Sequence, residues 1–231
     1  MRTTRRRWTM LATLGGLVLA PALGWGAYAA VTWLRFGRRD ARAASDPLMQ
    51  RHMPRYDIVE VHRTSVRAPA SVTFDAARAV DLHRSGVVHA IFRGRELMLR
   101  ATPPARPQDL PLVTELLSIG WGVLEEVPGR QLVFGAVTQP WRADVVFRAL
   151  PPRDFASFDS AGYVKIVVTL AADSVGPAES VFRTETRALA TDAASRAKFR
   201  RYWSVFSPGI LLIRTQALSL VRREAEGRRA P

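Results

Sequence analysis

The sequence predicts an α+β fold in which an antiparallel sheet wraps around one long C-terminal helix, with a transmembrane helix at the N-terminus. The C-terminal quarter of the chain repeats apolar residues at helical spacing. Several segments before it are rich in β-branched residues and alternate in the manner of strands. The N-terminal region holds a long uncharged stretch between two arginine clusters. These patterns together predict one tethered domain.

The first element is the uncharged stretch from Trp8 to Leu34. At about 1.5 Å per residue, a helix of this length exceeds the roughly 30 Å thickness of the hydrocarbon layer of a membrane. Aromatic residues that suit the membrane interfaces lie toward its two ends, namely Trp8, Trp25, Tyr28 and Trp33. We therefore predict a single-pass membrane anchor within residues 1–39, with Trp8–Leu34 as its membrane contact.

A cleaved signal peptide is the alternative for the same region. Either Ala20-Pro21-Ala22 or Ala27-Tyr28-Ala29 provides the small residues of a cleavage site. Cleavage after the second would remove residues 1–29, and the domain would be exported. The apolar stretch continues past Pro21 and ends in a basic cluster, which favours the uncleaved anchor. Residues 40–56 are polar and contain proline, and we predict that they link the anchor to the domain.

The domain is predicted over residues 57–226, and it begins with a strand and two short helices. Asp57–Val66 is rich in β-branched residues and predicts the strand. Ala70–Leu82 follows a proline and predicts the first helix. Ser85–Phe92 predicts the second, with a resumption after Gly94 as the alternative. Leu110–Ile119 is apolar, but its pattern does not distinguish a helix from a strand.

A run of antiparallel strands is predicted next, over Val123–Glu126, Gln131–Thr138, Asp144–Leu150, Tyr163–Ala171 and Val181–Leu189. Residues 151–161 are predicted to form an irregular loop. The even positions of the fourth strand are all aliphatic, which predicts one buried face. Arg183, Glu185 and Arg187 share one face of the last strand, and we predict that this face is exposed to solvent.

The long helix begins after Asp192, and residues 227–231 form a tail. Its apolar residues recur at steps of four and three, at Phe199, Trp203, Phe206, Ile210, Ile213, Ala217 and Leu220. Pro208 lies inside this pattern and removes one backbone hydrogen bond, so we expect a kink there. A restart of the helix with Ser207 as its N-cap is the alternative.

The order of these elements resembles the polyketide cyclase/START-like superfamily, also called SRPBCC or the helix-grip fold. VRAPASVTFDAARAVDL (Val66–Leu82) resembles the point where the first strand of that fold ends in an Ala-Pro-Ala turn and enters the first helix. Gly120–Trp141 and Lys198–Arg214 resemble an uncharacterised bacterial branch of the superfamily. The resemblance implies a cavity between sheet and terminal helix that holds lipids, sterols, polyketides or other apolar molecules.

Seven residues are expected between the sheet and the long helix on the strength of this resemblance. They are Val164, Ile166, Val168, Phe199, Trp203, Phe206 and Ile210. Ordinary core packing is the alternative interpretation for any one of them.

Composition excludes several classes of function. The formal net charge of +14 is divided between the two ends of the chain, and residues 46–194 carry no net charge, so nucleic acid is not a predicted partner. The chain has no cysteine, and its four histidines lie outside any metal-binding spacing. We predict neither a metal nor a cofactor.

No arrangement of residues predicts catalysis. Glu125 and Glu126 are adjacent, but neighbouring side chains of a strand point to opposite faces and cannot act together. Glu185 would be the best acid if it pointed inward. Arg93 and Arg95 are candidates for contact with an anionic head group.

The sequence thus predicts a membrane-anchored protein that binds an apolar or amphipathic, lipid-like small molecule. Two alternatives remain open: a cyclase or dehydratase-type enzyme acting on an apolar substrate, and a protein-interaction module without a ligand.

Overall fold

A computed structural model describes residues 24–38, 46–101 and 110–228. Most of the predicted membrane anchor therefore lies outside the described residues. The part that is described, residues 24–35, is helical and is called α1. The remaining helices are α2 (Pro47–His52), α3 (Ala70–Ala79), α4 (Gly86–Leu99), α5 (Leu112–Ser118), α6 (Pro152–Phe155) and α7 (Ala193–Gly227). The strands are β1 (Ile58–Val66), β2 (Gly122–Val127), β3 (Gln131–Thr138), β4 (Phe147–Arg148), β5 (Val164–Gly176) and β6 (Glu179–Ala190).

The strands form one antiparallel sheet in the order β1-β6-β5-β3-β2, and β4 pairs with the end of β3. Helices α3 and α7 pack against one face of this sheet, which we call the inner face. The opposite, outer face is covered by the shorter α2 and α6. The predicted helix-grip architecture, an antiparallel sheet around a long C-terminal helix, is confirmed.

The register of the sheet explains which residues reach the inner face. Ile166 of β5 lies opposite Ala188 of β6 and Ala136 of β3, and Ala188 lies opposite Ile58 of β1. Because directly opposed residues of antiparallel strands share a face, these four residues form one row across it. The even positions of β5 are therefore directed toward α7, as their aliphatic pattern predicts.

Helix α7 begins after Asp192, whose side chain accepts a hydrogen bond from the backbone N–H of Ser195 at 2.8 Å. The helix is continuous through Pro208 to Gly227. The alternative restart capped by Ser207 is therefore not present. By length and composition alone, α7 is also the one helix among the described residues that could cross a membrane. In the fold it packs along β1 and β6.

The predicted solvent exposure of the charged face of β6 is wrong. Arg187 and Glu185 have 0% exposed side chains, and Arg183 is also largely covered. The cover is α2, which forms within the segment predicted to be a linker. Arg187 Nη1 donates to the carbonyl oxygens of Met49 at 3.3 Å and Met53 at 2.8 Å.

Three further predictions of secondary structure differ from the structure. The second short helix extends to Leu99 and passes through Gly94 without a break. The strand predicted over Asp144–Leu150 is reduced to Phe147–Arg148, since only these residues pair with β3. The loop 151–161 contains the short helix α6. The untyped segment Leu110–Ile119 holds the helix α5.

Candidate functional site

A cavity of about 490 Å³ lies between the inner face of the sheet and α7. Its wall is completed by α4, by α5 and by the segment that joins β3 to β4. A pocket of this size falls in the range that holds small organic ligands in other proteins. The fold therefore leaves an internal space where a fully packed core would be expected.

The core is divided around this cavity. One cluster of packed apolar residues contains Ile58, Phe199 and Trp203, beside the N-terminal half of α7. A second contains Leu218 and Val221 of the C-terminal half of α7, together with residues of α3 and the sheet. The two clusters pack the two ends of the helix against the sheet. The cavity lies between them, and its wall is mainly apolar.

Five of the seven predicted pocket residues line the cavity: Ile166, Val168, Phe199, Trp203 and Ile210. The other two lie beside it. Val164 is fully buried against Phe199 and Trp203. Phe206 stacks on Tyr202 with 4.8 Å between ring centroids. That any of the seven touches a ligand stays a prediction.

One end of the cavity carries polar groups on an otherwise apolar wall. Arg214 of α7 lines the cavity together with Thr184 and Thr186 of β6. In the sheet register, Thr186 lies opposite Glu60 and Thr184 lies opposite His62. The two β1 side chains approach each other to 3.7 Å between His62 Nε2 and Glu60 Oε2. Two strands and the long helix therefore bring five polar residues to one place.

The electrostatics of this cluster are unbalanced. Burial lowers the pKa of Arg214 to about 10, and the negative charge of Glu60 opposes this shift only in part. Burial, followed by the positive charge of Arg214, also lowers the pKa of His62, so the imidazole is neutral at pH 7. Arg214 Nε, His62 Nε2 and Thr186 Oγ1 are buried without a hydrogen-bond partner among the described residues.

A second polar group lies on the α4 and α5 side of the cavity. Glu115, Glu96 and Arg95 line that wall. Glu115 Oε1 is 2.9 Å from His83 Nε2, so the carboxylate is held in place by an imidazole at its back. Arg95 Nη2 donates to the carbonyl oxygen of Arg142 at 3.3 Å, across the cavity wall. Of the two arginines proposed from the sequence, Arg95 reaches the cavity.

The other acids considered from sequence do not reach the cavity. Glu185 lies on the outer face with Arg187, so the condition for its use as an acid is not met. Glu125 pairs with His52 of α2 on the outer side, at 3.0 Å, and Glu126 pairs with Arg78 of α3. The adjacent glutamates therefore do point to opposite faces.

Arg214 was missed by reasoning from sequence although a signal was present. It is the one charged residue of α7 between Arg201 and Arg222, and it directly follows Ile213 of the apolar stripe. A single charge inside an apolar helical stripe indicates a buried polar site. No group of three or more potential metal-ligating side chains is found within the described ranges.

The C-terminal end of α1 packs beside the cavity. Arg200 of α7 stacks on Trp33, with 4.2 Å from the guanidinium carbon to the ring centroid, and its Nη2 donates to the Trp33 carbonyl oxygen at 2.7 Å. Phe36 contacts Phe199 edge-on, with ring centroids 5.7 Å apart. Because Phe199 lines the cavity, only this one side chain separates Phe36, at the end of α1, from the cavity.

Comparisons with known proteins give remote structural similarities. No family model and no curated protein matches the sequence. A hypothetical protein from Helicobacter pylori aligns at 7% identity over 74% of this chain and 89% of its own, with a TM-score of 0.36. A protein from Chromobacterium violaceum aligns at 11% identity over 73% and 97%, with a TM-score of 0.32. An aromatase/cyclase from Streptomyces aligns at 14% identity over 74% and 94%, with a TM-score of 0.26. The cavity is therefore the feature from which a function is inferred.

Proposed function

We propose that this protein binds an apolar or amphipathic, lipid-like small molecule in the cavity between the sheet and α7. The observation that carries the proposal is the space of about 490 Å³ that remains between two well-packed apolar clusters. Its walls are mainly aliphatic and aromatic, and polar groups are confined to a few positions. Ligand pockets have this composition. An interaction module would be better served by a closed core.

We further propose that the domain works at a membrane, to which the N-terminal segment anchors it. The described part of that segment supports this idea, because Trp25, Val31, Trp33 and Leu34 are exposed on α1. Apolar helical surface of this kind suits contact with lipid. The intact mass of the mature chain tests the anchor: the full 25.7 kDa is expected, and loss of about 20–30 residues would contradict it.

Native mass spectrometry of the full chain, released from mild detergent, tests ligand binding. The wild-type protein is expected to carry an additional mass that organic extraction removes and identifies. Ala217→Trp should abolish this mass, since Ala217 is a small residue on the cavity wall and an indole there would occupy the ligand's volume. Thr215→Trp is the matched control, because Thr215 is exposed on the same helix.

Two results would reject the binding proposal. The first is recovery of wild-type protein without any bound molecule from cells and after incubation with lipid extracts. The second is an equal loss of bound mass in Ala217→Trp and Thr215→Trp, which would show that the cavity is not the site. Far-ultraviolet circular dichroism of each variant shows whether the fold is retained.

Catalysis on an apolar substrate is the second candidate function, and the contact between Glu115 and His83 favours it. A carboxylate that lines an apolar cavity and is held by an imidazole at 2.9 Å can act in proton transfer. If so, the molecule extracted from Glu115→Gln will differ in mass from the one extracted from wild type, because substrate will accumulate. Identical molecules in the two extracts would leave binding as the function.

A further inference from the structure

We infer that the cavity selects an amphipathic anion, whose acidic head group is bound by Arg214 with the hydroxyl groups of Thr184 and Thr186. The inference rests on the proposed binding function and names the chemical class of the ligand. A carboxylate and a phosphate monoester share the required chemistry, which is a compact anion with several acceptor oxygens attached to an apolar chain.

The geometry of the sheet places these groups together. Thr184 and Thr186 are two residues apart on β6, so both hydroxyl groups are on the inner face. Arg214 reaches the same end of the cavity from α7. Its charge acts on both Glu60 and His62, which are the β1 partners of the two threonines. The guanidinium therefore lies over the rows of the sheet that contain the hydroxyl groups.

The donors in this cluster lack acceptors. Thr186 is 4% exposed, lines the cavity, and its Oγ1 has no hydrogen-bond partner among the described residues. Arg214 Nε is likewise buried without a partner. Unsatisfied buried polar atoms are rare in native proteins, because each one costs about 1–3 kcal/mol. Arg187 Nη2 and Glu185 Oε2 on the outer face also lack a partner, but only Arg214 and Thr186 belong to residues that line the cavity, where a bound molecule can supply the acceptor.

The charge of the cluster points to an anion rather than to a neutral polar group. His62 is neutral at pH 7 because its pKa is lowered, so it offers an uncharged ring. The negative charge of Glu60 opposes part of the effect of burial on the pKa of Arg214, but that pKa remains lowered to about 10. The protein therefore leaves a buried positive charge incompletely compensated, and a ligand anion would complete the compensation.

The opposite wall supports the same orientation. Glu96 and Glu115 line the cavity on the side of α4 and α5 together with Arg95, so this wall carries two acids for one base and should attract an anionic head group less than Arg214 does. The apolar chain of the ligand would then extend along Val168 and Ile210. One end of the ligand is thus fixed by charge and the other by shape.

Equilibrium binding to the full chain in lipid nanodiscs tests the inference, with empty nanodiscs as the baseline. The probes are carbon-14-labelled dodecanoate, dodecyl phosphate and dodecanol, which differ only in head group. At least one of the two anions should bind about tenfold or more tightly than dodecanol, as expected for hydrogen bonds to a charged partner. The better of the two anions identifies the head group.

The Arg214→Met variant should weaken binding of that anion by about 10- to 100-fold and change dodecanol binding by less than about twofold. Thr186→Val should weaken the anion by about three- to tenfold. Arg223→Met is the matched control, because Arg223 is exposed on the same helix, and it should bind all three probes as wild type does. Thermal unfolding shows that each variant is folded.

Each outcome decides one of the two proposals. If dodecanol binds as tightly as both anions and Arg214→Met changes none of them, the anion inference is overturned while the binding function stands. If Arg214→Met and Arg223→Met weaken anion binding equally, the site is surface attraction and the inference is again wrong. If no probe binds above empty nanodiscs, the binding function itself fails.

Discussion

Strand β6 carries two buried polar clusters on its opposite faces, and they are built in different ways. On the outer face, Glu185 and Arg187 contact each other and are covered by α2. On the inner face, Thr184 and Thr186 face a cavity, and Arg214 faces them from α7. In the outer cluster Arg187 and Glu185 bond to each other, although Arg187 Nη2 and Glu185 Oε2 lack partners, whereas in the inner cluster Arg214 Nε and Thr186 Oγ1 lack partners beside a cavity. The contrast separates polar groups that stabilise the fold from those available to a ligand.

The outer cluster is a network in which each charged side chain has at least one close partner. Arg187 Nε donates to Glu185 Oε1 at 2.7 Å, and the guanidinium lies 5.1 Å from the centroid of the Tyr56 ring. Asp46 accepts from Arg183 Nη1 and from Gln131 Nε2, both at 2.7 Å. Breaking such a network leaves a charge buried without compensation, which is costly. The network therefore attaches α2 firmly to the sheet.

The largest effect is expected when the same substitution is made on the two faces. Arg187→Met removes the partner of Glu185 and should lower the free energy of unfolding by about 3–5 kcal/mol. Arg214→Met, measured on protein freed of ligand, should change it by less than about 1 kcal/mol or raise it, because methionine removes a buried charge whose Nε has no hydrogen-bond partner and which Glu60 compensates only in part. Chemical denaturation of the full chain in mild detergent measures both.

Arg153→Met is the control for this pair of variants. Arg153 has an 87% exposed side chain and pairs with Asp154 at the surface, so the change should stay within about 0.5 kcal/mol. The double variant Glu185→Gln with Arg187→Met should recover part of the loss, since no buried charge remains. Equal destabilisation by Arg187→Met and Arg214→Met would contradict the difference between the two faces.

A smaller effect is expected from Asp46, and it depends on pH. Burial raises the pKa of Asp46, but the hydrogen bond and charge of Arg183 outweigh this, and the net pKa lies below the ordinary value of 3.8. A carboxylate with a lowered folded-state pKa stabilises the fold above the unfolded pKa, and the contribution is lost as the pH falls through the folded value. Asp46→Asn cannot titrate and should be about 1–3 kcal/mol less stable than wild type at pH 7.

Urea unfolding at pH 7, 5, 4 and 3 measures this difference. The gap between wild type and Asp46→Asn should be constant down to about pH 4 and shrink below it. Burial raises the pKa of Glu185, and the charge of Asp46 adds to this shift, so both proteins are compared in a Glu185→Gln background. A gap that stays unchanged to pH 3 would show that folding does not lower the pKa of Asp46.

The sequence alone predicts the outline of this fold well, because periodicity reports directly on strands and helices. The predicted strand Gln131–Thr138 has the same bounds in the structure, and α7 begins directly after Asp192, where the sequence predicts the start of the long helix. What periodicity does not show is which segment covers a face. The charged alternation of β6 looks the same whether water or α2 lies above it, so the exposure of Arg187 was predicted wrongly.

The covering helix and the inner cluster depend on contacts between distant parts of the chain. Asp46 and Pro47 are a favourable helix start, yet a helix of six residues is too short to stand out in a polar segment. Arg214 can be recognised as part of a polar site only when the strand register, which pairs Thr186 with Glu60, is known. The apolar wall could be predicted from one helix and one strand, whereas its polar end required three elements at once.

The smallest effect is expected from two threonines, and it has opposite signs on the two faces. Thr169 of β5 is fully buried on the outer face, and its Oγ1 accepts from Gln131 Nε2 at 3.1 Å. Thr169→Val should therefore lower the free energy of unfolding by about 1 kcal/mol. Thr186 Oγ1 has no partner, so Thr186→Val should raise the free energy of unfolding of ligand-free protein by about 1 kcal/mol. Chemical denaturation of both variants measures the two changes, and a loss of stability in both would show that the inner hydroxyl is already satisfied within the protein. A gain in Thr186→Val would mean that the fold gives up stability to keep a hydroxyl group available to a ligand.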